Sequence, residues 1–221
     1  MAGRALSPER AARVYDRIGK FQDWQGFYEG PAIRDLVAHA DFASARRVVE
    51  LGCGTGAMAA ELLTRRLPPD ATYLGLDVSS RMVGLASSRV SAFGARASVR
   101  RISGRPPLPV DDSAADRFVA VYVFDLLADE LADAIIEEAR RILTPGGRLC
   151  LVSLAPGATA GSRLLCAAWN RVWAHAPALV GGCRPVDLRP RLARGWRIEH
   201  ERSITAWGVT SQVIVAARVA E

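Results

Sequence analysis

Short apolar runs alternate with helical segments through the middle of the chain. Strands are predicted where Val-, Leu- and Ile-rich runs end at a glycine or an acidic residue, and helices where Ala- and Leu-rich stretches lack glycine. The strand-like runs are 47–51, 71–76, 97–102, 116–123 and 148–154, and the helical ones are 57–66, 79–89 and 131–143. This alternation predicts an α/β fold, a doubly wound and mostly parallel sheet.

The two ends of the chain depart from the alternation. Residues 196–207 and 209–219 are strand-like and meet around Gly208, which leaves no room for a crossover helix. They should pair as a C-terminal antiparallel hairpin, which brings the sheet to seven strands. Residues 5–44 look helical with Pro31 at a helix start, and residues 144–147 should close the helix before them.

Composition favours one domain that folds alone. The chain has 221 residues, of which 50% are hydrophobic and 24% charged, as in ordinary globular domains. The longest uncharged stretch, 203–217, is shorter than the ~18–20 residues of a membrane span. The N-terminal residues mix charges without an apolar block, so we expect no secretory signal and a cytoplasmic protein. Four cysteines without a Cys-x-x-Cys pair predict reduced thiols and no metal site.

The net charge of +6 is concentrated near the C-terminus. Residues 158–221 carry +5, whereas residues 48–157 carry −1. Basic proteins often bind nucleic acid or anionic membrane. However, 28 of the 29 basic residues are arginine, a skew that codon bias would also produce. Both explanations stay open.

The loop after the first strand carries the clearest chemistry. Its sequence is Gly-Cys-Gly-Thr-Gly at 52–56, and a helix follows. Alternate glycines let the chain turn sharply and let a ligand touch the backbone beside free N–H groups of the helix start. A nucleotide-like ligand is implied. The spacing of Gly52, Gly54 and Ala57, with Asp77 further on, also satisfies the dinucleotide fingerprint.

Four longer strings resolve this ambiguity, because together they resemble the class I S-adenosylmethionine (SAM)-dependent methyltransferases. Glu50, two residues before the first glycine, belongs to the first string, and the hairpin also fits that family better than a dehydrogenase. The strings are Val-Val-Glu-Leu-Gly-Cys-Gly-Thr-Gly at 48–56, Gly-Leu-Asp-Val-Ser at 75–79, Leu-Pro-Val-Asp-Asp at 108–112 and Ala-Arg-Arg-Ile-Leu-Thr-Pro-Gly-Gly-Arg-Leu at 139–149.

The resemblance implies SAM as cofactor and a role for each site residue. Asp77 would accept hydrogen bonds from both ribose hydroxyls, and Glu50 would order the loop or the SAM ammonium. Val78 and Met82 would flank the adenine, unless they are ordinary core residues. The remaining cofactor residues are Gly52, Gly54, Gly56, Gly104 and Tyr122. At Gly104 many members of the family have an aspartate, so the recognition of adenine by that side chain is lost.

Methyl transfer is an in-line displacement, which needs alignment and exclusion of water more than it needs a base. Asp125 follows the fourth strand and is the best candidate to orient or deprotonate an acceptor, although it could equally cap the next helix or lie on a solvated loop. The segments 14–16 and 21–24 resemble the lid of quinone and phospholipid methyltransferases. Tyr15 would close over SAM there, or simply pack on one face of a docked helix. His175 is a further candidate base.

Residues 158–195 should form the acceptor side of the site. They contain an apolar stripe that predicts core packing first, and an acceptor pocket or a membrane-interface face second. The stripe comprises Leu164, Leu165, Ala168, Trp169, Val172, Trp173 and Ala176. His39 and His200 look peripheral.

The expected function is methyl transfer to a small, apolar or lipid-like acceptor. The alternatives are a nucleic-acid methyltransferase, against which the lack of a base-flipping signature argues, and a non-catalytic SAM-binding module. Peripheral membrane contact stays open. We expect one domain with four parts: a helical lid at 1–45, a SAM-binding core at 46–157, an acceptor-side insertion at 158–195 and a closing hairpin at 196–221.

Overall fold

The computed structural model describes residues 7–18, 26–175 and 182–219. In this part of the chain the helices are α1 (Pro8–Ile18), α2 (Gly26–His39), α3 (Ala57–Arg65), α4 (Ser80–Val90), α5 (Asp129–Ile142) and α6 (Ala160–His175). The strands are β1 (Arg47–Leu51), β2 (Thr72–Asp77), β3 (Ala97–Arg101), β4 (Ala115–Val121), β5 (Leu143–Leu154), β6 (Trp196–Ala206) and β7 (Val209–Arg218).

The seven strands form one sheet in the order β3-β2-β1-β4-β5-β7-β6. The first five are parallel, and β7 pairs antiparallel with both β5 and β6. The predicted fold class and the closing hairpin are therefore confirmed. The chain first winds outward from β1 to β3 and then resumes beside β1 at β4. This reversal of winding opens a crevice at the carboxyl ends of β1 and β4, where such folds bind ligands.

Both faces of the sheet are covered, which explains why the central strands read as continuous apolar runs. On one face, Ile135 and Ile142 of α5 pack into a core with Phe118 of β4. On the other face, Leu36 of α2 and Leu62 of α3 belong to a second core. Among the described residues, no helix is both long and apolar enough to cross a membrane.

Two sequence predictions about helix ends are wrong. Pro31 lies inside α2, which begins at Gly26. It is therefore beyond the first turn of the helix, although proline is usually found within the first turn because the N–H groups of that turn are free. The second is wrong only in part: residues 144–147 follow the end of α5 at Ile142 as expected, but they belong to the start of β5, where the pairing with β4 skips them.

Candidate functional site

The glycine loop 52–56 joins β1 to α3 at the carboxyl edge of the sheet. Gly52, Gly54 and Gly56 all have positive φ, at 70°, 52° and 76°. Residues other than glycine rarely adopt this backbone conformation. The loop also has no space for side chains. A Cβ at Gly52 would lie 2.4 Å from Cγ2 of Val123, and one at Gly56 would lie 2.9 Å from Cα of Ala86.

Asp77, the last residue of β2, fixes the loop from the neighbouring strand. Its Oδ2 accepts a hydrogen bond from the backbone N–H of Gly54 at 2.9 Å, and its Oδ1 accepts one from Ser79 at 2.8 Å. Burial raises the pKa of this carboxyl, and these two N–H groups oppose the rise. A carboxylate has about four acceptor positions, so Asp77 keeps capacity for a ligand.

A first cavity opens between this loop and α4. It encloses about 760 Å³ of space when its open mouth is included. Most of the predicted cofactor residues line it. Those that do are Gly52, Gly54, Asp77, Val78, Met82, Gly104 and Tyr122. Sequence reasoning missed the apolar wall completed by Ile102, Leu126, Leu127 and Ile135. The cavity therefore has one carboxylate in an otherwise apolar enclosure.

A second cavity lies on the other side of the glycine loop and shares Gly52, Gly54 and Tyr122 with the first. Glu50 lines it, so this predicted residue lies beyond the loop from the first cavity. Tyr73 donates a hydrogen bond of 2.5 Å to Oε2 of Glu50. Burial raises the pKa of Glu50 to about 7; the Tyr73 bond opposes the rise and Asp77 adds to it.

Glu29 of α2 is a second carboxylate in the lining of this cavity. No sequence signal identified it, because it precedes the glycine loop by more than twenty residues in a segment without a recognisable motif. With Glu29 and Glu50 together, the second cavity is suited to a cationic group.

Tyr122 stands where the two cavities meet. Its backbone has φ 54°, which is uncommon for a bulky residue. Its hydroxyl is hydrogen-bonded to Oγ of Ser211 at 2.8 Å, and its ring meets Tyr28 edge to face. These contacts hold the ring between β4, β7 and α2.

The N-terminal helix α1 covers the far end of the first cavity. Pro8 lines that cavity, and a Cβ at Gly104 would lie 3.0 Å from Cβ of Pro8 and 2.7 Å from Cγ1 of Val78. An aspartate at 104 would therefore clash. Asp16 accepts a 2.5 Å hydrogen bond from Oγ of Ser79, which also caps α4. The side chain of Tyr15 and the whole segment 19–25, with the predicted lid residues at 21–24, lie outside the described residues.

Asp125 does not line either cavity. It is fully buried in the short turn Phe124–Leu126, where Oδ1 accepts a 3.3 Å hydrogen bond from Ser153. Burial raises its pKa to about 6. The expectation that it could sit on a solvated loop is wrong, because the 182–186 segment packs over this turn and Arg184 donates to the backbone oxygen of Asp125 at 2.9 Å.

The predicted core packing of α6 is wrong for most of its stripe. Leu164, Leu165 and Val172 are exposed at 74%, 40% and 40%, because the helix lies against β7 with only one narrow face. Neither cavity lining includes a described residue from 158–195. His175 is exposed and its Nδ1 contacts the carbonyl of Arg171 in its own helix, at 2.8 Å. Ala176 lies outside the described residues.

His39 and His200 lie away from both cavities and are stacked at 3.6 Å beside Asp35. The three residues are close enough to hold a metal ion by distance alone. However, both oxygens of Asp35 are engaged, at 2.6 Å with His200 and at 3.1 Å with Arg202. Nearly parallel rings also direct their nitrogen lone pairs side by side. The cluster is better described as a hydrogen-bonded polar contact between α2 and β6.

Comparison with known proteins places the core in a family. Residues 48–147 match the family model described as a methyltransferase domain. This range contains the glycine loop, Asp77, Gly104 and Tyr122, and it supplies every residue of the first cavity's lining except Pro8.

Two curated relatives show how far this similarity extends. Over 127 residues the chain is 34% identical to demethylmenaquinone methyltransferase of Deinococcus radiodurans, covering 57% of this chain and 50% of that protein. It is 26% identical over 137 residues to the tRNA N(3)-methylcytidine methyltransferase Mettl2 of Drosophila melanogaster, and this match covers 61% of this chain and 42% of that protein. The chain spans about half the length of the curated relatives it matches.

Among solved structures, the cyclase SpnF covers all of this chain and is itself covered completely, with a TM-score of 0.72 and 15% identity. At this identity the likeness shows the fold alone. A cyclase on the same fold also illustrates that the reaction must be argued from the site.

Proposed function

The core of this chain is a class I SAM-dependent methyltransferase domain, and from it we propose that the protein transfers a methyl group from SAM to a small, apolar or lipid-like acceptor. The observation that carries this proposal is Asp77. Its carboxylate lies at the end of β2, is held by Gly54 and Ser79, and borders an otherwise apolar cavity.

The first cavity suits the nucleoside end of SAM. Asp77 would accept hydrogen bonds from the two ribose hydroxyls, which a buried carboxylate does strongly because the bonds are charge-assisted. Val78, Met82 and Ile102 offer apolar surface to the adenine ring. Because Gly52 carries no side chain and lines this cavity, its backbone can approach the ligand directly. Since Gly104 carries no side chain, adenine recognition would rely on shape and backbone.

The second cavity suits the amino-acid end of SAM. Its Glu29 and Glu50 carboxyls would attract the ammonium group, and their location on α2 and β1 places them on the opposite side of the glycine loop from Asp77. A ligand spanning both cavities would pass Gly52, Gly54 and Tyr122, which both linings share.

SAM, when bound, would supply a methyl group on a positively charged sulfur, and transfer to a nucleophilic acceptor would break the carbon–sulfur bond and leave S-adenosylhomocysteine. The chain's contribution would be alignment and exclusion of water. Tyr122, fixed by Ser211 and Tyr28 where the cavities meet, would hold the two ends of the cofactor in line. Within the predicted lid segment, α1 would cover the site, a role supported by Pro8 in the lining and by the bond between Asp16 and Ser79.

The acceptor class rests on chemistry and on one relative. The first cavity has a predominantly apolar lining, and the relative from D. radiodurans is named for demethylmenaquinone, a quinone. A tRNA acceptor is the second candidate, because the chain is also similar to a tRNA methyltransferase and carries a net charge of +6.

Calorimetric titration with SAM and with S-adenosylhomocysteine tests the cofactor. Asp77→Asn should weaken SAM binding by about one to two orders of magnitude, because one charge-assisted ribose contact contributes roughly 1.5–3 kcal/mol. Asp111→Asn is the matched control, since Asp111 is exposed and lines neither cavity. Wild-type protein that binds neither compound, or equal affinity in wild type and Asp77→Asn, would contradict the proposal.

Labelled SAM then tests the acceptor. We expect label transfer to a quinone-containing lipid extract and none to total tRNA. Transfer to tRNA alone would favour the second candidate. Tight SAM binding with no transfer to lipids, tRNA or small metabolites would favour a non-catalytic SAM-binding module.

A further inference from the structure

Exposed apolar side chains are concentrated in one place. In the described part of the chain, five large apolar side chains are exposed, and four of them lie on α6 or at the tip of the β6–β7 hairpin. The four are Leu164, Leu165, Val172 and Trp207, exposed at 74%, 40%, 40% and 80%. We call these four residues the apolar surface. Exposed apolar residues that cluster in this way mark interaction sites, whereas scattered ones need no explanation.

The apolar surface is continuous and its orientation is fixed. A Cβ built at Gly208, next to Trp207, would lie 3.2 Å from Cδ2 of Leu165, so the hairpin tip touches α6. On the inner side of α6, the indole N–H groups of Trp169 and Trp173 donate to the carbonyls of Cys183 and Gly182, both at 2.9 Å. These two bonds hold the helix by one face and leave Leu164 on the opposite face, with Leu165 and Val172 along one side.

The charged residues of α6 and its flanking segments have a single sign. The sequence contains no Asp or Glu from residue 139 to residue 186. Within this stretch, α6 exposes Arg163 and Arg171. Arg171 follows Leu164 by seven residues, which is two helical turns, so it shares the outward face. Leu164 and Arg171 on the exposed face of α6, with Trp207 on the adjoining hairpin tip, are residue types that favour a membrane interface.

The surface also adjoins the carboxyl edge of the sheet, where the cavities open. Leu154 ends β5 and pairs with Ser211 near the start of β7, so the hairpin tip lies at that edge. Ser211 in turn holds Tyr122. A lipid-like acceptor leaving a bilayer would therefore have a short path to the proposed site.

We propose that the apolar surface docks on an anionic lipid bilayer. A second copy of this chain fits less well, because a two-fold contact through this face would bring arginines against arginines. The proposal deepens the proposed function by placing its acceptor in a membrane, but docking itself needs no bound SAM.

Vesicle sedimentation tests the proposal with the full chain. We expect it to sediment with vesicles of phosphatidylcholine containing 30% phosphatidylglycerol, and much less with pure phosphatidylcholine. Arg163→Gln with Arg171→Gln should lower partitioning roughly 30-fold, since each arginine near an anionic surface contributes about fivefold. The matched control is Arg65→Gln with Arg100→Gln, which removes two exposed arginines from α3 and from the opposite sheet edge.

The apolar contribution is tested separately. Leu164→Glu and Trp207→Asn should each reduce sedimentation at least tenfold, and Asn tolerates the positive φ of residue 207. Val219→Glu, at the fifth exposed apolar position, should have no effect. Circular dichroism and SAM titration on each variant establish that it is folded, and the titration also tests the proposed function independently.

Three results would overturn membrane docking. The first is sedimentation that is equal with neutral and anionic vesicles or unchanged in the arginine and Leu164 variants. The second is a dimer in solution that Leu164→Glu dissociates, which would assign the surface to a second copy. The third is salt-sensitive binding to tRNA, abolished in the arginine double variant, without binding to vesicles.

Discussion

Glu50 offers a test of the proposed cofactor site that does not require the acceptor. Its side chain is fully buried, and desolvation raises its pKa to about 7 despite the hydrogen bond from Tyr73. At pH 7, therefore, about half of the unliganded molecules carry a proton on Glu50. If the ammonium of SAM enters the second cavity, it should favour the ionised form and expel that proton.

The size of the effect follows from the charges. Two unit charges about 4 Å apart interact by about 4 kcal/mol at an effective dielectric constant of 20, which corresponds to about three pKa units. The pKa of Glu50 should then fall from about 7 to about 4 on binding. Proton release per bound SAM should be about 0.9 at pH 6, about 0.5 at pH 7 and close to zero at pH 8.5.

Calorimetry in buffers of different ionisation enthalpy measures this release. The dependence of the observed enthalpy on the buffer enthalpy gives the number of protons exchanged. Glu50→Gln is the control variant, because the amide oxygen still accepts the hydrogen bond from Tyr73 but the side chain cannot titrate. The difference between wild type and this variant cancels any proton exchanged by the ligand itself.

The same residue has a stability signature. The folded-state pKa lies above the ordinary 4.5, so the free energy of unfolding should fall by about 3 kcal/mol as pH rises from 4.5 through 7. Glu50→Gln should not show this fall. The reasoning is refuted if wild type and Glu50→Gln exchange the same number of protons with SAM at pH 6, since Glu50 would then not meet the ammonium.

Two further variants test the loop and the buried acid. Gly52→Ala should lower the free energy of unfolding in urea by about 1–3 kcal/mol, because the new Cβ would meet Val123 at a positive φ. Gly84→Ala is the control and should be neutral or stabilising, since nothing lies within 4 Å of the added Cβ. Equal effects of the two substitutions would contradict the packing argument. Asp125→Asn keeps an acceptor for Ser153 and removes a carboxyl whose folded pKa is about 6, so it should be about 3 kcal/mol more stable than wild type at pH 8 and indistinguishable near pH 4. A large loss of turnover in Asp125→Asn, with whichever acceptor the labelled screen identifies, would instead support a catalytic role.

Much of the fold could be predicted because its signals are local. The apolar run 47–51 ends at a glycine and forms the predicted strand β1. Gly208 separates two strand-like runs with too few residues between them for a helix, and these runs form the predicted hairpin of β6 and β7. The helical run predicted over 79–89 is α4, which Ser79 caps because its Oγ accepts from the N–H of Met82. Each of these features depends on neighbours within a few residues, so the sequence contains the information directly.

The composition of the candidate site was only partly predictable. The glycine loop and Asp77 were identified because their spacing follows from one strand, one turn and the next strand. Glu29 and Pro8 were not identified, because their arrival at the cavities depends on how α2 and α1 dock across the sheet. The exclusion of a side chain at Gly104 likewise follows from Val78 and Pro8, of which Pro8 lies almost a hundred residues earlier.

The sequence by itself determined the order of the elements, the glycine loop and the acid at the end of β2, because periodicity and turn residues act over short distances. Only the tertiary structure decided which apolar residues are buried. The stripe on α6 has the spacing of a core helix, yet Leu164 is exposed and Asp125 is buried. Periodicity shows that a helix has an apolar side. Whether that side meets protein or solvent depends on packing between segments far apart in the chain, which no local pattern records.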